Sequence, residues 1–277
     1  AEIFDDRVHI TENPHIRHLW PLSQTLAENS RPVVIFSLAL NYAIGGLAVE
    51  GYHAVNLAFH VLAALTLFAI LRRTFAGPRL GPRYAGAATG LALAAAALWV
   101  AHPLNTQAVT YLVQRGESLA SLFYLLTLYG AIRGASSQRR SAAWYALAVA
   151  ACALGAATKP VVVSAPLVVL LYDRFFLVPA FREALRRRGA LYAGLAASWG
   201  VLLALGIAAP DPSSGAHATT VTALGYAVSQ PGVVLHYLRL AFWPDPLVLD
   251  YGWPIARNPA AILAPALALA AIAAGAL

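Results

Sequence analysis

The chain has 277 residues, 60% of them hydrophobic and only 11% charged. Soluble domains carry about 25% charged residues, so this chain cannot cover a wholly water-facing surface, and lipid is its solvent over much of its length. The net charge of +7 is not a nucleic-acid signature, because no basic stripe with interleaved aromatics occurs. The one cysteine, Cys152 in an Ala-rich run, excludes a disulfide framework and a CxxC metal site.

Residues 1–52 come first. The run FDDRVHITENPHIRHLWPLSQTLAENSRP carries charges, prolines and Trp20, and its apolar positions support only short interfacial helices. Segment 33–49 is apolar, but Glu50 and His53 follow it without a basic flank, so it is expected along the membrane surface rather than across it. The opening AEIFDD lacks methionine and the end falls inside an apolar run, so further residues are expected before Ala1 and after Leu277.

From 53 to 277 the chain reads as a transmembrane bundle. A spanning helix needs about 20 predominantly apolar residues. Seven candidates occur, over 53–73, 85–101, 117–133, 143–158, 160–176, 190–209 and 259–277. The apolar run between Pro160 and Asp173 is only about 18 Å long as a helix. Fusing it with 143–158 would nevertheless put Arg182–Arg188 on the wrong side, so two helices broken at Lys159-Pro160 are expected. The stretch 232–243 is too short to cross, holds His236 and Arg239, and reads as an interfacial or re-entrant helix. No internal repeat and no tetratricopeptide pattern is present.

The loops set the orientation. Alternate loops hold Arg72, Arg73, Arg79 and Arg83, then Arg133, Arg139 and Arg140, then Arg174, Arg182, Arg186, Arg187 and Arg188. These are 12 of the 19 Lys and Arg, set against only Asp173 and Glu183. Cytoplasmic loops carry the excess of Lys and Arg, so this side is expected inside. The fold class is then all-α: a polytopic transmembrane helix bundle of about seven spans, with interfacial helices on the outer face.

The other face gathers the residues that can do chemistry. Asp5-Asp6 is a vicinal carboxylate pair, able to hold a divalent metal or to serve as a general base, or else to act only as a solvated loop or helix cap. Arg115, in Gln114-Arg115-Gly116-Glu117-Ser118, stands where its bidentate fork would meet a lipid phosphate, or where it would simply pair with Glu117 or snorkel to the headgroups. Lys159 faces the same choice. His53, His102, Gln114 and Glu117 complete a candidate substrate-binding set. The histidines make no HExxH pattern, and His60, deep in the first span, reads as a structural hydrogen-bonding residue.

Four blocks in order carry a resemblance: FDDRVHITENPHI, SRPVVIFSLALNYAIGGLAVEGYHAVNLAFH, HPLNTQAVTYLVQRGESLASLFYLL and TKPVVVSAPLVVLLYD, with a weaker echo in HYLRLAFWPDPLVLDY. Together they resemble the membrane module of the transmembrane O-mannosyltransferases with tetratricopeptide repeats and their bacterial relatives, within the GT-C glycosyltransferases. The resemblance implies a multi-spanning enzyme of a bacterial inner membrane, whose active face is periplasmic or extracellular. It would move a sugar from a polyprenyl-phosphate donor to a hydroxyl on a protein or glycan acceptor. It further implies a missing first membrane helix before residue 1, a catalytic base at Asp5 with Asp6 beside it, and Arg115 and Lys159 near the donor phosphate. The animal members read Lys-Glu where this chain has Lys159-Pro160. The competing expectation is a non-catalytic subunit that packs with other membrane subunits and binds lipid.

Overall fold

A computed structural model of the chain describes residues 5–23, 29–208, 222–248 and 250–276. Every regular element among them is helical. The chain divides into two compact units, Ala1–Pro210 and Asp211–Leu277.

The first unit opens with two short turns, Arg7–Thr11 and Pro14–Ile16. The long elements follow as α1 (Pro32–Gly45), α2 (Val49–Phe75), α3 (Ala88–Val100), α4 (Arg115–Ser136), α5 (Ser141–Ala156), α6 (Ala165–Tyr172), α7 (Phe181–Arg187) and α8 (Gly189–Ala208). Pro32 begins α1 because its missing N–H falls where a helix has no acceptor for one. Gly46 ends it at φ 60°, which lets the chain reverse directly into α2. Helix α2 has Arg72 and Arg73 in its last turn, where cations meet the negative end of the helix dipole.

Helix α4 is the hub, packed against α2 on one side and α5 on the other. Its approach to α5 is set by Gly130, where a Cβ would stand 2.9 Å from the Trp144 carbonyl oxygen and 3.0 Å from the Ala148 nitrogen. Small residues at such crossings let helix backbones come close in lipid. Ala120, Ala131, Ala148, Cys152, Val162, Val169, Leu191 and Leu195 form the buried cluster around this seam. Gly130→Val is expected to force the two helices apart at a cost of about 1–3 kcal/mol. Thermal denaturation in detergent would register it; an unchanged midpoint would mean that the seam is not close-packed.

The transmembrane reading holds, and four of the seven expected spans meet the length and apolarity of a crossing helix among the described residues. Four helices are long and apolar enough to cross a membrane: Val49–Phe75, Gly81–Val100, Pro160–Leu177 and Gly189–Ile207. The apolar helices Pro32–Gly45, Ser141–Ala156 and Pro259–Gly275 are shorter. The 16 residues of α5 rise about 24 Å, less than the roughly 30 Å hydrocarbon core. Helix α4 is long enough at 22 residues, but its stretch 117–133 is interrupted by Glu117, Ser118, Ser121, Thr127 and Arg133. Packed between two neighbours, it answers to protein rather than to lipid.

The break at Lys159-Pro160 is clear in the backbone. Lys159 is extended at φ −157° and ψ 139°, the region favoured before proline. A 3-10 turn (Pro160–Ser164), α6 and a π turn (Asp173–Leu177) then run on without interruption, so the segment passes through Asp173 rather than ending there. Asp173 is buried, with Arg188 at 2.5 Å and the Tyr192 hydroxyl donating to the same oxygen. For Arg188, burial works against the charge, but the Asp173 carboxylate outweighs it and lifts the pKa.

The arginine-bearing ends of these helices meet at one end of the unit. Thr74 pairs with the Tyr172 hydroxyl at 2.7 Å, and Arg73 and Arg133 both lie over the Tyr129 ring. In the second unit α9 (Ala223–Phe242) packs on α10 (Pro259–Ala276). Helix α9 is longer than the expected 232–243. Ser229, Gln230 and Pro231 look like breakers, but Pro231 sits inside the helix, and the Thr222 side chain caps its start by accepting from the Gly225 N–H.

Candidate functional site

The opening segment is fastened to the end of the bundle by two isoleucines. Ile10 and Ile16 are buried against Val34, Ile35, Leu38, Ala39, Tyr52 and Leu112, contributed by α1, α2 and the turn before α4. Apolar anchors of this size contribute about 1.5–3 kcal/mol each when fully buried. Two polar contacts then fix the carboxylate pair. The Val113 N–H donates to Asp6 Oδ1 at 2.9 Å, and the Asp5 N–H donates to the Tyr111 hydroxyl oxygen at 3.0 Å.

The two carboxylates are not equivalent. Asp6 is 1% exposed, whereas Asp5 lies at the surface. Burial lifts the Tyr111 hydroxyl above the usual phenol range, the Asp5 and Asp6 charges add to this, and only the Asp5 N–H opposes it. Tyr111 therefore stays neutral and keeps its proton beside Asp5. A divalent metal, which the sequence allowed at this pair, is poorly served: one carboxylate is buried on a backbone N–H and the other is exposed. No three His, Cys, Asp or Glu converge among the described residues.

Two residues further along stands Arg115, fully buried. Its Nε donates to Asn56 Oδ1 at 2.7 Å, and one terminal nitrogen donates to the Ser37 carbonyl at 3.0 Å. The other terminal nitrogen donates to Asn41 Oδ1 at 2.7 Å and to the Tyr52 carbonyl at 3.1 Å. The guanidinium also lies over the Tyr52 ring, 5.3 Å from its centroid. Every bond goes to a neutral acceptor, and together they tie α1, α2 and α4 into one corner. A small space of about 20 Å³ under Asp6 reaches Tyr52 and Leu112, enough for about one water. Asn41, Asn56 and Tyr52 are the partners that sequence reading did not assign to Arg115. The signal was there in Asn56, a polar residue one turn after His53 in an otherwise apolar helix.

The remaining candidates sit in two places. Lys159, at the α5–α6 break, forms an ion pair with Glu117 in the first turn of α4, and both side chains are partly exposed. The Val33 N–H donates to the Ala157 carbonyl, so this pair lies at the start of α1. Both ends of α1, at Val33 and at the Gly46 reversal, therefore meet the same end of the bundle. Gln114 and His53 are half-buried near the Arg115 corner. His102 accepts from the Leu104 N–H and caps the turn Pro103–Asn105. His60 is hydrogen-bonded to the Val100 carbonyl at 3.0 Å and stacks on Trp99, a structural role.

The comparisons with known proteins agree with the family resemblance. The chain is 32% identical over 138 residues to the protein O-mannosyl-transferase Tmtc1 of Drosophila melanogaster, covering 45% of this chain and 15% of that protein. It is 31% identical over 192 residues to Tmtc2 of the same fly, covering 62% and 19%. Human protein O-mannosyl-transferase TMTC2 is 39% identical over 113 residues, covering 40% and 12%. The chain thus spans less than a fifth of the length of these relatives. No protein-family model matches it, and no solved structure matches it. The family resemblance is therefore shown, and by sequence this integral membrane chain is a relative, over part of its length, of the protein O-mannosyl-transferases.

Proposed function

We propose that the chain is the membrane part of a glycosyltransferase that moves a sugar from a polyprenyl-phosphate donor to a hydroxyl acceptor on the outer face. The single observation that carries this reading is the docking of Asp5-Asp6 onto Tyr111–Val113. It puts an exposed carboxylate at the bundle end that also holds Lys159, on the face opposite the arginine excess. A polyprenyl chain stays in lipid while its phosphate and sugar reach the interface. The transfer needs a base for the acceptor hydroxyl and positive charge for the leaving phosphate. Asp5 supplies the base. Asp6 and Tyr111 position it.

The positive charge comes from Lys159, because Arg115 is occupied by protein acceptors in this conformation. Lys159 would exchange Glu117 for the donor phosphate. This yields a paired expectation: Lys159→Gln weakens donor binding about tenfold, a loss of roughly 1.4 kcal/mol, while Glu117→Gln tightens it by removing the competitor. Donor titration of both variants would check it. Weaker binding by both would mean that the pair is structural.

The outer face as the active face, the 1–52 and 53–277 organisation, and a protein acceptor belong to the same proposal. The relatives named above are animal proteins, so they lend nothing to a bacterial inner membrane. The decisive experiment is sugar transfer by the full-length protein from a purified lipid-linked mannose donor. Transfer is expected. Its absence with every polyprenyl-phosphate sugar tested would favour the second reading, a non-catalytic membrane subunit. One observation speaks for that reading: the closed coordination of Arg115 is that of a structural residue.

A further inference from the structure

A cavity of about 250 Å³ lies at the opposite end of the first unit, among the arginines. Arg73 and Thr74 of α2, Pro78 and Arg79 of the following loop, and Ile132 and Ser136 of α4 line one part of it. Tyr172, Phe176 and Leu177 close the rest. Its walls are thus mainly apolar, with two guanidinium groups at the rim.

The hydroxyls here are already committed to the protein. Thr74 donates to the Ile70 carbonyl, so its short contact with Tyr172 has the tyrosine as donor. Ser136 donates to the carbonyls of Ile132 and Arg133. The arginines have no acidic partner. Among the described residues Arg79 makes no hydrogen bond or ion pair, and Arg73 meets only neutral tyrosines: it lies 5.7 Å from the Tyr129 ring centroid, hydrogen-bonds to the Tyr129 hydroxyl and acts on Tyr172.

The carboxylates of this end are spent as well. Asp173 is held by Arg188 and Glu183 by Arg187. The rim arginines therefore have no acidic counterpart in the described chain. An apolar recess with two guanidinium groups that have no anionic partner, beside a membrane span, suits a phosphate group carried on an apolar tail. Arginine binds phosphate through its planar fork, and basic pockets beside membrane helices hold anionic headgroups.

We propose that this cavity is a binding site for the phosphate of an anionic headgroup. Arg73 and Arg79 are its charged ligands, and Ile132, Phe176 and Leu177 take the adjoining apolar part. The site is separate from the carboxylate end and does not depend on the transfer reaction. It would fasten α2, α4 and the π turn after α6 to the membrane at one point.

The test is native mass spectrometry of the full-length protein purified in detergent, with phosphatidylglycerol and phosphatidylcholine offered at equal concentration. Phosphatidylglycerol is expected to be retained at least tenfold better. Arg79→Gln, which breaks no contact within the protein, and the double variant Arg73→Gln/Arg79→Gln should remove that preference. Arg139→Gln/Arg140→Gln, at the same end but outside the cavity, should keep it. A second arm offers inorganic phosphate alone. Its binding, lost in the Arg79 variant, would assign a soluble phosphate as the source, whereas displacement by phosphatidylglycerol only would assign the lipid. Equal retention of both lipids together with no phosphate binding would overturn the site. So would a loss of preference in the Arg139/Arg140 variant as large as in the Arg79 variant, because the effect would then be that of a diffuse charged surface.

Discussion

Arg115→Met is expected to destabilise the protein by about 3 kcal/mol or more, because it removes the one buried donor group that serves four neutral acceptors. The guanidinium is fully buried and makes four hydrogen bonds to Asn56, Ser37, Asn41 and Tyr52. Methionine fills similar space but leaves those acceptors without donors, and each unsatisfied buried group costs about 1–3 kcal/mol. The corner joining α1, α2 and α4 would loosen. Arg115→Lys should recover little, because one ammonium cannot reach acceptors arranged around a planar fork. Heating the detergent-solubilised protein and following the monodisperse fraction should show the midpoint falling by about 10 °C. A variant that stays fully stable but no longer binds a lipid-linked donor would show that Arg115 faces the ligand after all.

The second large effect falls on the opening segment. Asp5→Asn should lower sugar transfer by roughly 10²–10⁴, the usual contribution of a positioned general base, with thermal stability unchanged because Asp5 is exposed. Asp6→Ala should behave differently. It strips the acceptor from the Val113 N–H at a buried position, so activity should fall together with protection of residues 5–16 against hydrogen exchange. Measuring both readouts on both variants separates the base from its support. Equal transfer by wild type and Asp5→Asn would remove Asp5 from the reaction, and protection retained in Asp6→Ala would deny Asp6 its anchoring part.

These two predictions differ in how far the sequence led to them. The FDD block and the QRGES block were legible as candidates because ionisable residues beside apolar runs are conspicuous, and the arginine-bearing loops placed both on one face. That Asp6 reaches Val113, or that Tyr111 stands beside Asp5, was not legible. Those partners are more than a hundred positions apart in the chain, and nothing in local spacing links them. Arg115 shows the same limit more sharply. An arginine at a membrane boundary reads equally as a phosphate ligand and as a pair with Glu117 or a headgroup contact. In the structure Glu117 pairs with Lys159, and Asn41 and Asn56, two amides on other helices that spacing could not reveal, converge on Arg115.

The spans were legible only in part, for a related reason. Apolar length is a property of a segment alone, and it identified Val49–Phe75 and Gly189–Ile207 well. Helix α4, however, is enclosed by α2 and α5, so its polar residues and Gly130 serve contacts with protein, and hydropathy says little about it. Helix α9 begins well before the expected 232–243, with Pro231 inside it, because the apolar run used to find it left out the mixed residues 223–231.

By itself, then, the sequence determined the solvent of this protein, the helical class and the segregation of its charge, because partition into lipid depends on composition and on the order of residues along the chain. It also carried the likeness to the protein O-mannosyl-transferases, in four blocks read from single residues. Only the tertiary structure decided which carboxylate is buried, which cation is tied down and which is exposed beside an acid. Those outcomes depend on burial and on hydrogen-bond partners brought from distant parts of the chain, and a buried polar group is governed by whatever partner the fold delivers to it.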